Sequence, residues 1–197
     1  MGILSNKGLF CNLDKKMMEQ VKSFSCGNRD LDEFFQRDFI DYAESLFGKS
    51  YCFINGEKSE EVICAFTVSN ASIFTNRLPN ARKKKISKEI PHQKRDLIYP
   101  AVLIGRLGIN LKYQHCRVGT ELMDFIKAWF LEPHNKTGCR YLIVDAYNED
   151  VPISFYKKNG FEYIFHSEEQ EREYRHISNL ASLNTRLMYF DLIRLVK

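Results

Sequence analysis

LIYPAVLIGRLGINLKYQHCRVGTELMDFIKAWFL, residues 97–131, decides how the fold is read. Leu97 to Leu111 is the longest apolar run in the chain, carries β-branched residues, and predicts a central strand. Its two glycines, Gly105 and Gly108, permit close backbone approach. Leu122, Ile126, Trp129 and Phe130 then recur at helical spacing before Pro133, which predicts a helix starting near Arg117 or Val118. The joint YQHCRVGTEL is therefore a strand entering a helix. The first amides of a helix have no partner inside it, and their dipoles favour an anion. His115 to Thr120 thus form a candidate phosphate cradle, to which Lys112 and Arg117 add charge and Thr120 a hydroxyl. With one glycine, Gly119, the joint is neither a P-loop nor a dinucleotide fingerprint.

Outward from this stretch, the other elements follow from caps and periodicity. In FSCGNRDLDEFFQRDFIDYAESLF, Asn28 caps a predicted amphipathic helix whose stripe is Leu31, Phe34, Phe35, Phe39 and Leu46, read as core packing. YCFIN (51–55), the turn at Gly56 and the run from Val62 predict a hairpin. Residues 75–96, with Pro79 and Pro91, form an excursion from the sheet with a short helix around 80–90. CRYLIVDAY (139–147) predicts a buried strand, PISFYKKNG a short helix closed at Gly160, FEYIFH (161–166) a strand, and TRLMYFDLIRL from Thr185 the last strand. Residues 167–184 read as a charged loop. This order predicts an α/β (α+β) fold with a mixed sheet.

A chain of 197 residues fits a single domain, 1–197, with a core large enough to dispense with disulfides. Hydrophobic residues at 44% and charged ones at 27% exclude wholesale disorder. The six cysteines show no CxxC pair, so no metal site is predicted and a reducing cytoplasm is the simplest location. A secretory signal, a membrane span and an acylation signal are all missing; Asn6 stands where acylation after Gly2 needs serine or threonine. The net charge of +4 is concentrated, because residues 82–95 hold seven lysines and arginines against Glu89 alone. That density suits contact with a nucleic-acid backbone as well as a solvated loop.

Several residues invite chemistry individually. Cys116, near a helix start and beside His115, suggests a nucleophile, but adjacency does not make two side chains converge. His166, Asp145 and Glu149 are open candidates for accepting a proton.

Taken together, the strand, the phosphate turn, Asn148 and the run Ser154 to Phe161 resemble the GCN5-related N-acetyltransferase superfamily. That family's turn has glutamine or arginine, two variable residues, glycine, one variable residue, then glycine or alanine. Gln114 and Gly119 agree with it, whereas Arg117 replaces the middle glycine and His115 replaces another common one. FSCGNRDLDEFF and YPAVLIGRLGI are similar, more narrowly, to the branch containing toxins that acetylate aminoacylated tRNA. The resemblance implies a mostly antiparallel sheet flanked by helices and acetyl transfer from acetyl-CoA, the co-substrate, to a primary amine. It implies that the backbone at Leu107, Gly108 and Ile109 pairs with the pantetheine arm, and that Gln114, His115, Cys116, Arg117, Val118, Gly119 and Thr120 hold the pyrophosphate. Asn148 would position the arm and Tyr156 would protonate the leaving thiolate. Aminoacyl-tRNA bound through 82–95, an antitoxin and a homodimer are the partners it brings into view. A toxin role and a non-catalytic nucleic-acid-binding or regulatory module on the same fold stay open beside the plain enzyme.

Overall fold

Strands β1 (Gly8–Asn12), β2 (Lys49–Asn55), β3 (Lys58–Phe74), β4 (Ile98–Ile109), β5 (Tyr141–Tyr147), β6 (Glu162–Tyr163) and β7 (Thr185–Asp191) form one sheet, in the order β1-β2-β3-β4-β5-β7-β6. The computed structural model describes residues 2–22, 24–88, 90, 98–135, 137–178 and 182–196. The expected α/β class with a mostly antiparallel sheet and flanking helices is what the chain adopts. The described residues divide into two compact units, Met1–Ser69 with Ile104–Glu132, and Asn70–Leu103 with Pro133–Lys197.

In the first unit, the two-residue period of β1 and β2 sends alternate side chains to opposite faces. One face carries Cys52, Val62 and Ala65, buried under Leu13, Phe24, Phe34, Phe35 and Phe39. Phe24 comes from the loop between α2 (Lys15–Gln20) and α3 (Arg29–Glu33), Phe34 and Phe35 from a π-helical turn (Phe34–Asp38) that continues α3, and Phe39 from α4 (Phe39–Glu44). Asn28 caps α3 as expected, its side chain accepting from the Leu31 amide at 3.2 Å. The wide π turn lets the adjacent Phe34 and Phe35 both reach the core. Leu46 does not join them: it follows α4 with φ 58° and is 90% exposed, because the helix has already ended at Glu44. On the other face Phe10, Tyr51, Phe53 and Phe66 stack beneath Phe125 and Trp129 of α6 (Val118–Leu131), with ring centroids as close as 4.7 Å.

Ahead of β1, α1 (Ile3–Lys7) is held by Glu121 in the first turn of α6, whose carboxylate accepts from the amides of Ile3 (3.0 Å) and Leu4 (2.8 Å).

The second unit has its own core, including Ile73, Ile86, Tyr99, Tyr141, Ile143, Phe165 and Tyr189. The excursion contains the expected short helix, α5 (Asn80–Ile86), fixed where the buried Tyr141 hydroxyl donates to the Ile86 carbonyl at 2.6 Å. The remainder of the basic segment, Glu89 and 91–95, lies outside the described residues. Helix α7 (Asp150–Lys158) begins two residues earlier than predicted, and β6 is shorter than the expected strand at 161–166. The predicted charged loop contains a helix, α8 (Glu168–Arg175). Its buried side is ionic: fully buried Glu171 accepts from Arg186 Nε (2.8 Å), Arg175 (2.7 Å) and the Leu187 amide (2.7 Å). Periodic hydrophobicity cannot reveal such a helix. No helix among the described residues is long and apolar enough to cross a membrane.

Candidate active site

The candidate phosphate turn of the first unit is bolted down from both sides. Buried Asn110 donates from its side chain to the Val62 carbonyl (2.9 Å) and accepts from the Lys112 amide (3.1 Å), while its own amide donates to the Ile63 carbonyl (3.0 Å). Leu111 N–H donates to the Ser25 carbonyl at 3.0 Å. The Gln114 side-chain nitrogen donates to the carbonyls of Cys26 (2.7 Å) and Ile109 (3.1 Å). The 25–27 loop is in turn fixed by Asp32, which accepts from the Ser25 hydroxyl (2.7 Å) and the Cys26 amide (2.6 Å). Asp32 is thus a supporting residue missed in the sequence; the signal available was an aspartate a few residues after a Ser-Cys-Gly turn. Gln114, expected at the coenzyme, uses its amide nitrogen to close the turn.

Beyond Gln114 the backbone takes the conformation that glycine usually supplies. His115 has φ 61° and Arg117 φ 64°. Left-handed conformations of L residues cost roughly 1–2 kcal/mol each, and the anchoring bonds on either side hold them. Alternation of left-handed with ordinary backbone turns successive N–H groups toward one concavity, the form of an anion-binding nest. Among the described residues, no backbone acceptor partners the amides of His115 through Thr120; the first α6 bond is Glu121 N–H to the Arg117 carbonyl at 3.1 Å. Val118 is buried and anchors the helix, whereas His115, Cys116, Arg117 and Thr120 are exposed. Lys112, expected to add charge, pairs with buried Glu61, which also accepts from the Tyr113 hydroxyl at 3.0 Å.

Strand β4 leads into this turn. Arg106 N–H donates to Thr67 Oγ1 (2.9 Å) and Asn110 N–H to Ile63. By the alternation of the strand, the amides of Leu107 and Ile109 therefore point away from β3. Gly108 is needed for packing: a Cβ there would meet the Phe24 ring at 3.1 Å and Cys26 Cβ at 3.3 Å.

In the second unit, Tyr156 is placed by the way α7 ends. Gly160, with φ 83°, and Phe161 return hydrogen bonds to the carbonyls of Lys157 (2.9 Å) and Tyr156 (3.0 Å), a Schellman termination. The Tyr156 ring packs edge-on against Phe155 (5.1 Å) and Phe161 (5.5 Å). Much of SFYKKNGF is thus explained by helix closure, and only the tyrosine hydroxyl is left over. It has no hydrogen-bond partner among the described residues, and burial pushes its phenol pKa well upward, which keeps it protonated.

Asn148, at the end of β5, donates from its side-chain nitrogen to Glu168 (3.0 Å) and to the Leu183 carbonyl (2.9 Å). It therefore ties α8 and the approach to β7 in place, and only its side-chain oxygen is left to meet a ligand. Asp145 is paired with Arg175 at 2.7 Å, whereas His166, Glu149 and Cys116 are exposed. This unit also holds an apolar pocket of about 200 Å³, lined by Ile73, Leu103, Ile143, Phe165, Tyr174 and Leu187 among others. No cluster of histidine, cysteine, aspartate or glutamate suited to a metal occurs among the described residues.

No family model matches the chain. Several solved structures are similar to it over nearly their whole length. AtaT complexed with acetyl-methionyl-tRNAfMet aligns at 18% identity and a TM-score of 0.64, covering 96% of this chain and 97% of that one. A tyrosine-to-phenylalanine mutant of KacT aligns at 17% identity and 0.64, covering 97% and 98%. A tyrosine-to-phenylalanine mutant of the AtaT toxin, bound to the C-terminus of the antitoxin AtaR and acetyl-CoA, aligns at 16% and 0.58, covering 96% of each chain. The chain thus has the fold of AtaT and KacT, in line with the fold its resemblance implied.

Proposed function

We infer that this protein is an acetyl-CoA-dependent N-acetyltransferase, that its acceptor is the α-amine of an aminoacyl-tRNA, and that it acts as a toxin restrained by an antitoxin. The observation that carries the reading is the set of unpartnered amides from His115 to Thr120, shaped by left-handed His115 and Arg117. It is the chemistry a pyrophosphate needs, and His115, Cys116 and Arg117 are exposed. That exposure argues against a non-catalytic module with a blocked cradle. The acceptor and the antitoxin are suggested by the AtaT structures holding acetyl-methionyl-tRNA and AtaR. Exposed Lys84 on α5 adds positive charge compatible with RNA, although Arg82 of the same helix is buried and Lys85 is paired with Glu162.

In this reading the amides of Leu107 and Ile109, which point away from β3, hold the pantetheine arm, and the cradle holds the pyrophosphate. The acceptor nitrogen attacks the thioester carbonyl, the carbon–sulfur bond breaks, and the Tyr156 hydroxyl hands its proton to the departing sulfur. Its raised pKa suits the task, since the hydroxyl is protonated throughout the neutral range. Water takes the proton lost by the amine. No covalent enzyme intermediate is needed, so the exposed Cys116 has no part in the transfer.

The test is incubation of purified protein with acetyl-CoA and a complete set of aminoacylated tRNAs, followed by mass spectrometry of the released aminoacyl-adenosines. Acetylation of one or a few members is expected. Acetylation of none, with acetyl-CoA binding retained in calorimetry, would remove the tRNA acceptor; the lack of saturable acetyl-CoA binding by folded protein would remove the enzyme.

A further inference from the structure

Strand β1 lies at one end of the sheet order, and its register with β2 sets Cys11 opposite Cys52. The two sulfurs are 3.5 Å apart and share a hydrogen bond. The bonds Leu13 N–H to Ser50 O and Gly56 N–H to Lys7 O mark the alternate, hydrogen-bonded positions of this ladder, and Cys11–Cys52 falls on the same set. Such pairs have Cα atoms about 5.5 Å apart, inside the range that disulfides span. Cys11 is half-buried on β1, whereas Cys52 is fully buried. Cys64 does not compete: it stands opposite Phe53 in the ladder and so faces the other side of the sheet. Among the described residues no other pair of thiols is in contact.

The pair is also polarised. The hydrogen bond shared with Cys52 lowers the Cys11 pKa, against the opposing effects of burial and of the nearby Asp14 carboxylate. The same hydrogen bond, with burial, pushes Cys52 upward. The accessible sulfur is thus the one that ionises first, and the buried one stands ready behind it.

We propose that Cys11 and Cys52 form a reversible dithiol–disulfide site that responds to hydroperoxides. The Cys11 thiolate attacks a peroxide oxygen; the O–O bond breaks, hydroxide leaves and takes a proton, and Cys11 becomes a sulfenic acid. The Cys52 sulfur then attacks the Cys11 sulfur, the S–O bond breaks, and a second water carries away the Cys52 proton and the oxygen. Two thiols are oxidised by two electrons and one hydrogen peroxide is reduced to two waters. The product joins β1 to β2 covalently, and a thiol reductant reverses it.

The experiment treats the reduced full-length protein with limiting hydrogen peroxide, blocks remaining thiols with iodoacetamide, and maps tryptic peptides without reduction. Peptide 8–15, which carries Cys11, should appear linked to peptide 50–58, which carries Cys52, and dithiothreitol should release both. The protein should lose two of its six thiols, while exposed Cys116 in peptide 113–117 is recovered alkylated. Cys11→Ser should abolish the link and leave Cys52 reduced. Unlinked Cys11 recovered as thiol or as sulfinic acid would overturn the proposal, and so would a disulfide formed by Cys116. The map is read on the unaltered protein, so a folding defect in the variant does not obscure it.

Discussion

The phosphate turn of the first unit and the β5–α7 segment of the second depart from expectation in opposite senses. At the turn the residues differ from the family pattern, with His115 and Arg117 in place of glycines, yet the backbone keeps φ 61° and 64° and its amides stay unpartnered. At the segment the residues agree with the pattern, yet the Asn148 nitrogen is committed to Glu168 and Leu183, and much of SFYKKNGF serves helix closure. A motif match therefore reports residue identity, whereas function at a cradle depends on conformation and unoccupied hydrogen-bonding groups. Neighbouring bonds can impose a glycine-like conformation on other residues, at a cost of roughly 1–2 kcal/mol each.

The comparison breaks most sharply at Tyr156. Tyr156→Phe retains the ring contacts and removes only the hydroxyl, so turnover should fall by about 100-fold or more while acetyl-CoA affinity measured by calorimetry changes little. Unchanged turnover would reduce this residue to its packing role as well. Next in size is Arg117. A β-branched residue is strained at φ 64°, so Arg117→Val should weaken acetyl-CoA binding by about tenfold or more, whereas Arg117→Gly should bind within a few-fold of the wild type. Equal losses in both variants would shift the credit from backbone shape to the guanidinium.

Asn148→Ala should cost about 1–2 kcal/mol in chemical denaturation, from two lost hydrogen bonds, with acetyl-CoA affinity nearly unchanged. A large affinity loss without destabilisation would restore the coenzyme role implied by the resemblance. The smallest effect concerns Glu61, whose carboxyl the Lys112 ammonium holds below the usual range. Its ionised form contributes stability above the unfolded carboxylate pKa of about 4.3, and this is lost as pH falls through the lowered native value. The stability gap between wild type and Glu61→Gln, below about 1 kcal/mol because Lys112 is largely exposed, should be present at neutral pH and close in acid.

The elements with apolar periodicity were legible: β4, α6, β5, the β2–β3 hairpin and the Asn28 cap fall where the sequence places them, except that β3 starts at Lys58, ahead of the expected Val62. α8 was not, because its inward side is Glu171 with Arg175 and Arg186 rather than a stripe of apolar residues. A local signal did exist, since Ser167 accepts from the Gln170 amide and acidic residues open the helix while basic ones close it. Segment 3–12 stayed unassigned because α1 has only five residues and is held from outside by Glu121. Within the candidate site, the position of the joint between β4 and α6 could be read, but the partners of Gln114, Asn148 and Lys112 could not.

The sequence by itself determined where strands and helices alternate, because apolar period and capping chemistry are local. It also singled out the Tyr156 hydroxyl and the helix start at Val118 as candidates. Only the tertiary structure decided that His115 and Arg117 adopt left-handed backbone, that the polar side chains of Gln114 and Asn148 are engaged, and that Cys11 meets Cys52 across two strands. Each of those outcomes depends on groups far apart in the chain, whose bonds outweigh the local preferences of the residues they hold.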